Sequence, residues 1–170
     1  VVEAGSRFNT SALSKYGFEK FTGADKDDRV VGDSGQVDYV LNGGGGNDFL
    51  KGNAGTDTLI GGAGNDRLDP GASSGGVQKL SGQSGNDTYV VTSKSGRVDI
   101  VELAGNGNDK LIFRDLKRSE VDVSINANNK MVLSWNDGTG SVTINDEGAH
   151  LDQFVFQFGA VYQPDDFGIL

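Results

Sequence analysis

Three nine-residue units of one pattern follow one another without a gap in the middle of this 170-residue chain. They read Gly43-Gly44-Gly45-Gly46-Asn47-Asp48-Phe49-Leu50-Lys51, then Gly52-Asn53-Ala54-Gly55-Thr56-Asp57-Thr58-Leu59-Ile60, then Gly61-Gly62-Ala63-Gly64-Asn65-Asp66-Arg67-Leu68-Asp69. Each unit has the form GGxGxDxUx, in which U is a large apolar residue. A short repeated unit of this kind indicates a solenoid, in which each repeat contacts only its neighbours.

The U position can be followed outward from these units. We assign it to Val30, Val40, Leu50, Leu59, Leu68, Leu80, Tyr89 and Val98. The six residues before each xUx tripeptide predict a turn, because glycine and asparagine tolerate positive φ angles. The tripeptide predicts a very short strand with U pointing inward. Two units close one coil, so successive turns lie on alternate sides and each turn stacks on the next but one.

The composition favours cations as partners. The formal net charge is −9, which disfavours nucleic acid and anionic membrane surfaces. Cysteine is absent, which excludes thiolate zinc sites. Calcium takes about six to eight oxygen ligands, including backbone carbonyls, whereas magnesium demands a tighter octahedron. A GGxGxD turn supplies unshielded carbonyls together with a carboxylate, so it predicts a calcium site.

The two sides of the coil differ in their acidic residues. One side carries the turns that end at Asp28, Asp48, Asp66, Asp87 and, after a longer spacer, Asp109. The other carries Asp38 and Asp57 and then degenerates in residues 70–79 and 92–97, where the aspartate is missing. The first side is therefore predicted to bind more metal ions than the second. Because like charges face one another in adjacent turns, metal binding and folding are predicted to be one event.

The fold class that follows is all-β. We predict a right-handed parallel β-roll over residues 23–111, with an N-terminal cap over residues 1–22 and a C-terminal antiparallel β cap over residues 112–170. The second cap shows period-two apolar runs, such as Met131, Leu133 and Trp135, separated by Asn- and Gly-containing turns. Trp135 and Tyr89 fall at inward positions and are predicted to belong to the core.

The repeats resemble the RTX (repeats-in-toxin) calcium-binding nonapeptides of bacterial proteins exported by type I secretion. The resemblance is strong across residues 23–109 and looser to residue 158. It implies that each ion takes carbonyls from the first four turn positions and the sixth-position carboxylate. That set maps onto Gly43, Gly44, Gly45, Gly46 and Asp48; Gly52, Asn53, Ala54, Gly55 and Asp57; Gly61, Gly62, Ala63, Gly64 and Asp66; and, less fully, Gly82, Gln83, Ser84, Gly85 and Asp87.

Further turns complete the expected ligand set with Gly107, Asp109, Asp28 and Asp38. The first turn, where Lys26 replaces a glycine, and the second, where Val37 is counted as an extra residue, are expected to form incomplete cages. We expect about 4–6 calcium ions in all.

The resemblance also implies a function. Such a chain is a non-catalytic, monomeric, secreted module that is unfolded at low calcium, passes the type I secretion machinery and folds on extracellular calcium. The start at Val1 indicates a piece of a larger protein, and Asp165–Leu170 resembles the acidic-then-apolar end of a type I substrate.

Two alternatives stay open. One is a ligand-binding or adhesive module that recognises carbohydrate or a cell surface. The other is an enzyme, because Gly71-Ala72-Ser73-Ser74-Gly75 matches the GxSxG nucleophile elbow and His150 follows it. The elbow needs a strand-to-helix turn, whereas this stretch falls in a degenerate repeat, so a surface loop is the simpler interpretation.

Overall fold

The computed structural model describes residues 7–9, 20–33, 35–73, 75–102, 107–146 and 151–168. These residues form short β-strands and a few 3-10 turns, with no α-helix among them. The strands are β1 (Arg7–Asn9), β2 (Lys20–Thr22), β3 (Arg29–Val31), β4 (Val40–Gly45), β5 (Phe49–Asn53), β6 (Thr58–Ala63), β7 (Arg67–Gly71), β8 (Val77–Ser84), β9 (Thr88–Val91), β10 (Arg97–Glu102), β11 (Lys110–Phe113), β12 (Asp122–Ile125), β13 (Met131–Trp135), β14 (Gly140–Asp146), β15 (Gln153–Val155) and β16 (Val161–Tyr162).

The strands are sorted into two sheets by alternation along the chain. The first sheet has the order β1-β3-β5-β7-β9-β11-β15-β16, and the second has the order β12-β13-β14-β10-β8-β6-β4-β2. Within the repeats every pairing is parallel, for example Leu50 opposite Leu68 and Leu59 opposite Leu80. Each coil therefore uses one strand of each sheet, which confirms the predicted all-β parallel solenoid with turns on alternate sides.

The core is a narrow column of inward side chains. The inward residues of the repeats are all at most 1% exposed: Val30, Leu41, Leu50, Leu59, Leu68, Leu80, Tyr89 and Ile100. Burying one aliphatic side chain stabilises the fold by about 1.5–3 kcal/mol, so each coil brings only a few kcal/mol of apolar burial. A core one or two side chains wide leaves the turns dependent on their own interactions.

Two of the assigned U positions are wrong. Val40 is 37% exposed, and Leu41 takes the inward place opposite Leu59. The cause is the length of the insertion in the second turn. Gln36 bridges to Ala54, and the Val37 carbonyl lies against Gly55, so Val37 fills an ordinary turn position and two residues, not one, are inserted between Gly32 and Gln36.

The second wrong position is Val98. It is buried, but it pairs with Gln78, and Ile100 is the residue opposite Leu80. Val98 therefore lies two residues ahead of the U position of its strand, because the degenerate stretch before it lacks the aspartate from which the pattern is counted.

The parallel stacking continues beyond residue 111. β14 pairs with β10 in parallel and β15 pairs with β11 in parallel, whereas β12–β13, β13–β14 and β15–β16 are antiparallel pairs. Aromatic side chains close this end of the core: Phe113 stacks on Phe156 at 4.7 Å and meets Trp135 edge-on at 5.9 Å. Trp135 and Tyr89 are buried, as predicted.

The N-terminal cap is described in part. Residues 1–6 and 10–19 lie outside the described residues, while β1 pairs with β3 and β2 pairs with β4, both in parallel. The boundaries drawn at residues 22/23 and 111/112 stay predictions.

Candidate metal centre

Six aspartates form a continuous row on one side of the solenoid, which we call the first ladder: Asp28, Asp48, Asp66, Asp87, Asp109 and Asp152. Each closes a turn that leads from the second sheet into the first. From Asp48 onward, a carboxylate oxygen of each accepts the backbone N–H of the aspartate one coil earlier, at 2.7–2.8 Å. The first five are at most 4% exposed. These bonds thus tie five of the six carboxylates to the turn one coil earlier.

At Asp48, Asp66 and Asp87 the other carboxylate oxygen, Oδ2, is buried and accepts no hydrogen bond. In each case it points at the first glycine of its own turn, because a Cβ built on Gly61, for example, would overlap Asp66 Oδ2. A buried carboxylate oxygen without a partner is costly. The vacant Cβ position of the glycine and the lone oxygen together fit a cation inside the turn.

The acidity of these groups reflects the same environment. Burial raises the pKa of Asp48 and Asp87 to about 6 and that of Asp66 to about 7. The backbone N–H bond lowers each pKa in part, and neighbouring aspartates raise it further. Burial also raises the pKa of Asp109, with Asp152 adding to the effect. Each carboxylate therefore favours a bound proton or a bound cation over a bare charge.

Backbone carbonyls are the only abundant oxygens beside these carboxylates. In the described ranges no three Asp, Glu, His or Cys side chains converge on a common point. The turns stack so closely that a Cβ on Gly62 or Gly64 would overlap the carbonyl oxygen of Gly44 or Gly46 below it. An ion here would draw most of its ligands from the main chain, and calcium accepts such carbonyl-rich sites.

The opposite side of the solenoid has a different row. Its sixth positions, in stacking order, hold Tyr39, Asp57, Gln78, Val98 and Val142. Tyr39 N–H donates to Asp57 Oδ1 at 2.8 Å, and Asp57 N–H donates to Gln78 Oε1. Asp57 is fully buried, its Oδ2 has no partner, and burial raises its pKa to about 7.

Asp38 does not occupy the ligand position that the repeat count predicted for it. It lies at the fifth position of its turn, is exposed, and accepts Thr56 N–H at 2.6 Å. Two residues are inserted between Gly32 and Gln36, one more than the sequence count assumed, and this brings Tyr39 to the sixth position instead. This side therefore offers one carboxylate where the sequence suggested two.

Sequence reasoning missed two features of the site. Asp152 extends the first ladder, and its signal was the Asp-x-apolar triplet Asp152-Gln153-Phe154. A row of asparagines also supports the turns from outside: Asn65, Asn86 and Asn108 each donate their N–H to the asparagine Oδ1 one coil earlier, at 2.7–2.8 Å. The recurring Gly-Asn-Asp triplet was the signal for this row.

Ser73, the serine of the GxSxG stretch, has no catalytic partner among the described residues around it. Ser73 lines a depression of about 230 Å³ with Gly75, Gly76, Gly96, Arg97 and Thr139. Its hydroxyl contacts only the Gly76 carbonyl at 3.5 Å and Gly75 N–H at 3.4 Å in the described structure. Ser74 and His150 lie outside the described residues.

The geometry defines a class: a β-solenoid whose stacked turns present carbonyls and buried carboxylates suited to calcium. Residues 40–68 match the family model of the RTX calcium-binding nonapeptide repeat (4 copies). The chain therefore contains an RTX-type calcium-binding repeat domain. Comparison with curated proteins gives no match. No helix in the described ranges is long and apolar enough to cross a membrane.

Asp66→Asn should weaken calcium binding strongly. If the amide oxygen keeps the bond to Asp48 N–H, the NH₂ group, which cannot bind a cation, stands in place of the lone Oδ2. We expect the calcium midpoint of folding, followed by far-ultraviolet circular dichroism, to rise by about tenfold, since ligand charge sets the affinity of such sites.

The matched control for this substitution is Asp38→Asn, which removes the same charge from the exposed fifth position. Its calcium midpoint should stay near that of the unchanged chain. Equal shifts for both variants would show that net charge, and not the ladder, governs the calcium dependence.

Proposed function

We propose that this chain is a calcium-triggered folding module of a larger secreted protein. It is unfolded where calcium is scarce, as in a bacterial cytosol, and folds into the solenoid on meeting extracellular calcium. The observation that carries this proposal is the set of buried carboxylate oxygens without partners in stacked turns, at Asp48, Asp57, Asp66 and Asp87.

The free energies support the coupling of binding and folding. Ordering 27 glycines costs more backbone entropy than ordering the same number of other residues, and the apolar column is narrow. Two like charges about 4 Å apart repel by about 4 kcal/mol at an effective dielectric near 20. An ion at a hundred times its dissociation constant adds about 2.7 kcal/mol per site. A few such ions decide whether the solenoid or the unfolded chain is the stable state.

The calcium dependence suits a chain that is exported by the type I machinery. Extracellular calcium modules bind with dissociation constants on the order of 10⁻⁴–10⁻³ M, so their sites stay empty in a low-calcium compartment. An unfolded chain can pass a narrow channel, and folding on the far side opposes its return. On this proposal the module is a secreted monomer, and the parent protein's activity resides elsewhere in its chain.

Removal of calcium should unfold the solenoid. In excess chelator at about pH 8, where the ladder carboxylates are charged, the far-ultraviolet circular dichroism spectrum should be that of a disordered chain, and millimolar calcium should restore the β signal. Magnesium at the same concentration is the control and should not restore it, because its octahedral shell fits carbonyl-rich cages poorly. A chelated protein that keeps its β signal would contradict the proposal.

A further inference from the structure

A depression of about 340 Å³ gathers three cationic side chains in this acidic chain. It lies where strands of the first sheet run into the turns on the side opposite the first ladder. Lys51 belongs to β5, Arg114 follows β11, and Lys94 lies in the degenerate turn after β9. The rest of the lining comes from Asp69 of β7 and from five residues of the neighbouring turns: Asn53, Ala54, Gly71, Ala72 and Thr92. The repeat pattern and the predicted calcium ladder explain none of the three cations.

Asp69 holds two of these cations in place. Its Oδ2 accepts a hydrogen bond from Arg114 Nη2 at 3.0 Å and lies 4.0 Å from Lys51 Nζ, while its Oδ1 accepts Gly71 N–H at 3.0 Å. Because the strands are ordered β5-β7-β9-β11, Arg114 reaches across β9 to make this bond. The side chains of Lys51 and Arg114 are 31% and 48% exposed, whereas that of Asp69 is 4% exposed. Both cations are therefore open to solvent above a buried carboxylate that orients them.

The depression carries two more positive charges than negative ones, because three cations line it and Asp69 is the one carboxylate in its lining. Lys94 is exposed, and its ammonium group forms no ion pair with any described residue. The nearest acidic residue along the chain from Arg114 is Asp115, which is not part of the lining. Both oxygens of Asp115 accept hydrogen bonds from Ser93, at 2.7 and 2.9 Å. The described residues thus leave the excess positive charge without a counter-charge.

A fourth cation adds to this field. Arg67 lies on β7, two residues before Asp69, and pairs with Phe49 of β5. After burial, which is the largest cause, the positive charge of Arg114 lowers the pKa of Arg67, and the smaller effect of Asp69 raises it. The two guanidinium groups therefore repel each other, and Asp69 offsets that repulsion only in part. An anion bound beside Arg114 would offset more of it.

We propose that this depression binds a doubly charged oxyanion, a sulfate or phosphate group, at the side chains of Lys51, Lys94 and Arg114. A dianion matches the excess of two positive charges. Lysine and arginine are the side chains that proteins use for such groups, because both are donors only and carry a full charge. Asp69 is a positioning residue, since it holds Arg114 and Lys51 without facing the anion. The inference goes beyond the proposed function, because the site needs the folded solenoid but uses none of the residues predicted to bind calcium through side chains.

The test titrates the full chain with sodium sulfate at saturating calcium and follows the backbone amide signals by nuclear magnetic resonance. The amide signals of Lys94 and Arg114 should shift to saturation with sulfate, but not with sodium chloride of equal ionic strength, which controls for screening. Lys94→Gln and Lys51→Gln should each raise the dissociation constant of sulfate about fivefold, as expected for loss of one partly exposed ion pair. The matched control is Lys79→Gln, which removes the same charge from an exposed position on β8 of the second sheet and should leave the constant unchanged.

A second set of titrations, with glucose 6-sulfate and with unsulfated glucose, distinguishes the two sources of the anion. Tighter binding of glucose 6-sulfate than of inorganic sulfate supports a sulfate group carried on a sugar, and equal binding supports the free ion. The absence of a saturable shift with either sulfate probe overturns the inference, and so does an equal loss of affinity in Lys79→Gln. Circular dichroism checks that each variant folds; Lys94→Gln changes an exposed side chain without an ion-pair partner among the described residues, so it should fold even if Lys51→Gln does not.

Discussion

Gly62→Ala is expected to prevent calcium-induced folding. Gly62 has φ near +120°, a backbone conformation that side-chain-bearing residues rarely adopt, and a Cβ there would overlap the carbonyl group of Gly44 in the turn below. The Gly44 carbonyl belongs to the backbone of a parallel strand. It therefore cannot move aside without separating two coils. We expect a loss of about 4 kcal/mol or more, a large part of the stability of an ordinary domain. Circular dichroism at saturating calcium should then show little β structure.

Gly138→Ala separates conformational strain from stacking. Gly138 also has a positive φ, near +85°, but a Cβ there meets nothing within 4 Å. Its cost should be about 1–2 kcal/mol, the price of a left-handed conformation alone. A Gly62→Ala protein that folds as readily as Gly138→Ala would show that close stacking of the turns is not required for the fold.

The second large effect is an opposite response to pH with and without calcium. In the folded chain without metal, burial raises the pKa of Asp57 and Asp66 from 3.8 to about 7, and that of Asp48 and Asp87 to about 6. The folded state therefore binds more protons than the unfolded state between about pH 4 and pH 7. This contribution to stability is fully present below pH 4 and is lost as the pH rises through 7. In chelator, the protein should show more β structure at pH 5 than at pH 8.

Calcium reverses the trend, because protons and calcium compete for the same carboxylates. The calcium concentration at the folding midpoint should rise as the pH falls below about 7, in line with the raised pKa values of Asp57 and Asp66. Salt is the control for net charge, since it screens exposed charges and leaves buried ones largely unscreened. If added salt at pH 8 restores as much β signal in chelator as acid does, global repulsion and not the ladder explains the acid effect.

Much of the fold could be predicted from the sequence, because its signals are local to each turn and strand. The glycines of the GGxGxD turn mark positions of positive φ or of close approach, such as Gly62 and Gly64, and these requirements do not depend on distant residues. The apolar residue two places after the aspartate of a regular turn had to be inward, as Leu50, Leu59 and Leu68 are. These two facts predict the all-β solenoid and the alternation of its turns. They also predict where the aspartates of the regular turns lie.

The sequence by itself thus determined the regular coils, because each nonapeptide carries its own turn and strand signals. Only the tertiary structure decided the register of the irregular ones. The number of residues inserted in a turn is not encoded locally, and the pairing of Leu41 with Leu59 is what brings Tyr39, and not Asp38, into line with Asp57. Asp152 joins the ladder from 43 residues beyond Asp109, because the fit of one coil on the next selects this contact, and its short Asp-x-apolar signal does not by itself say which turn it stacks on.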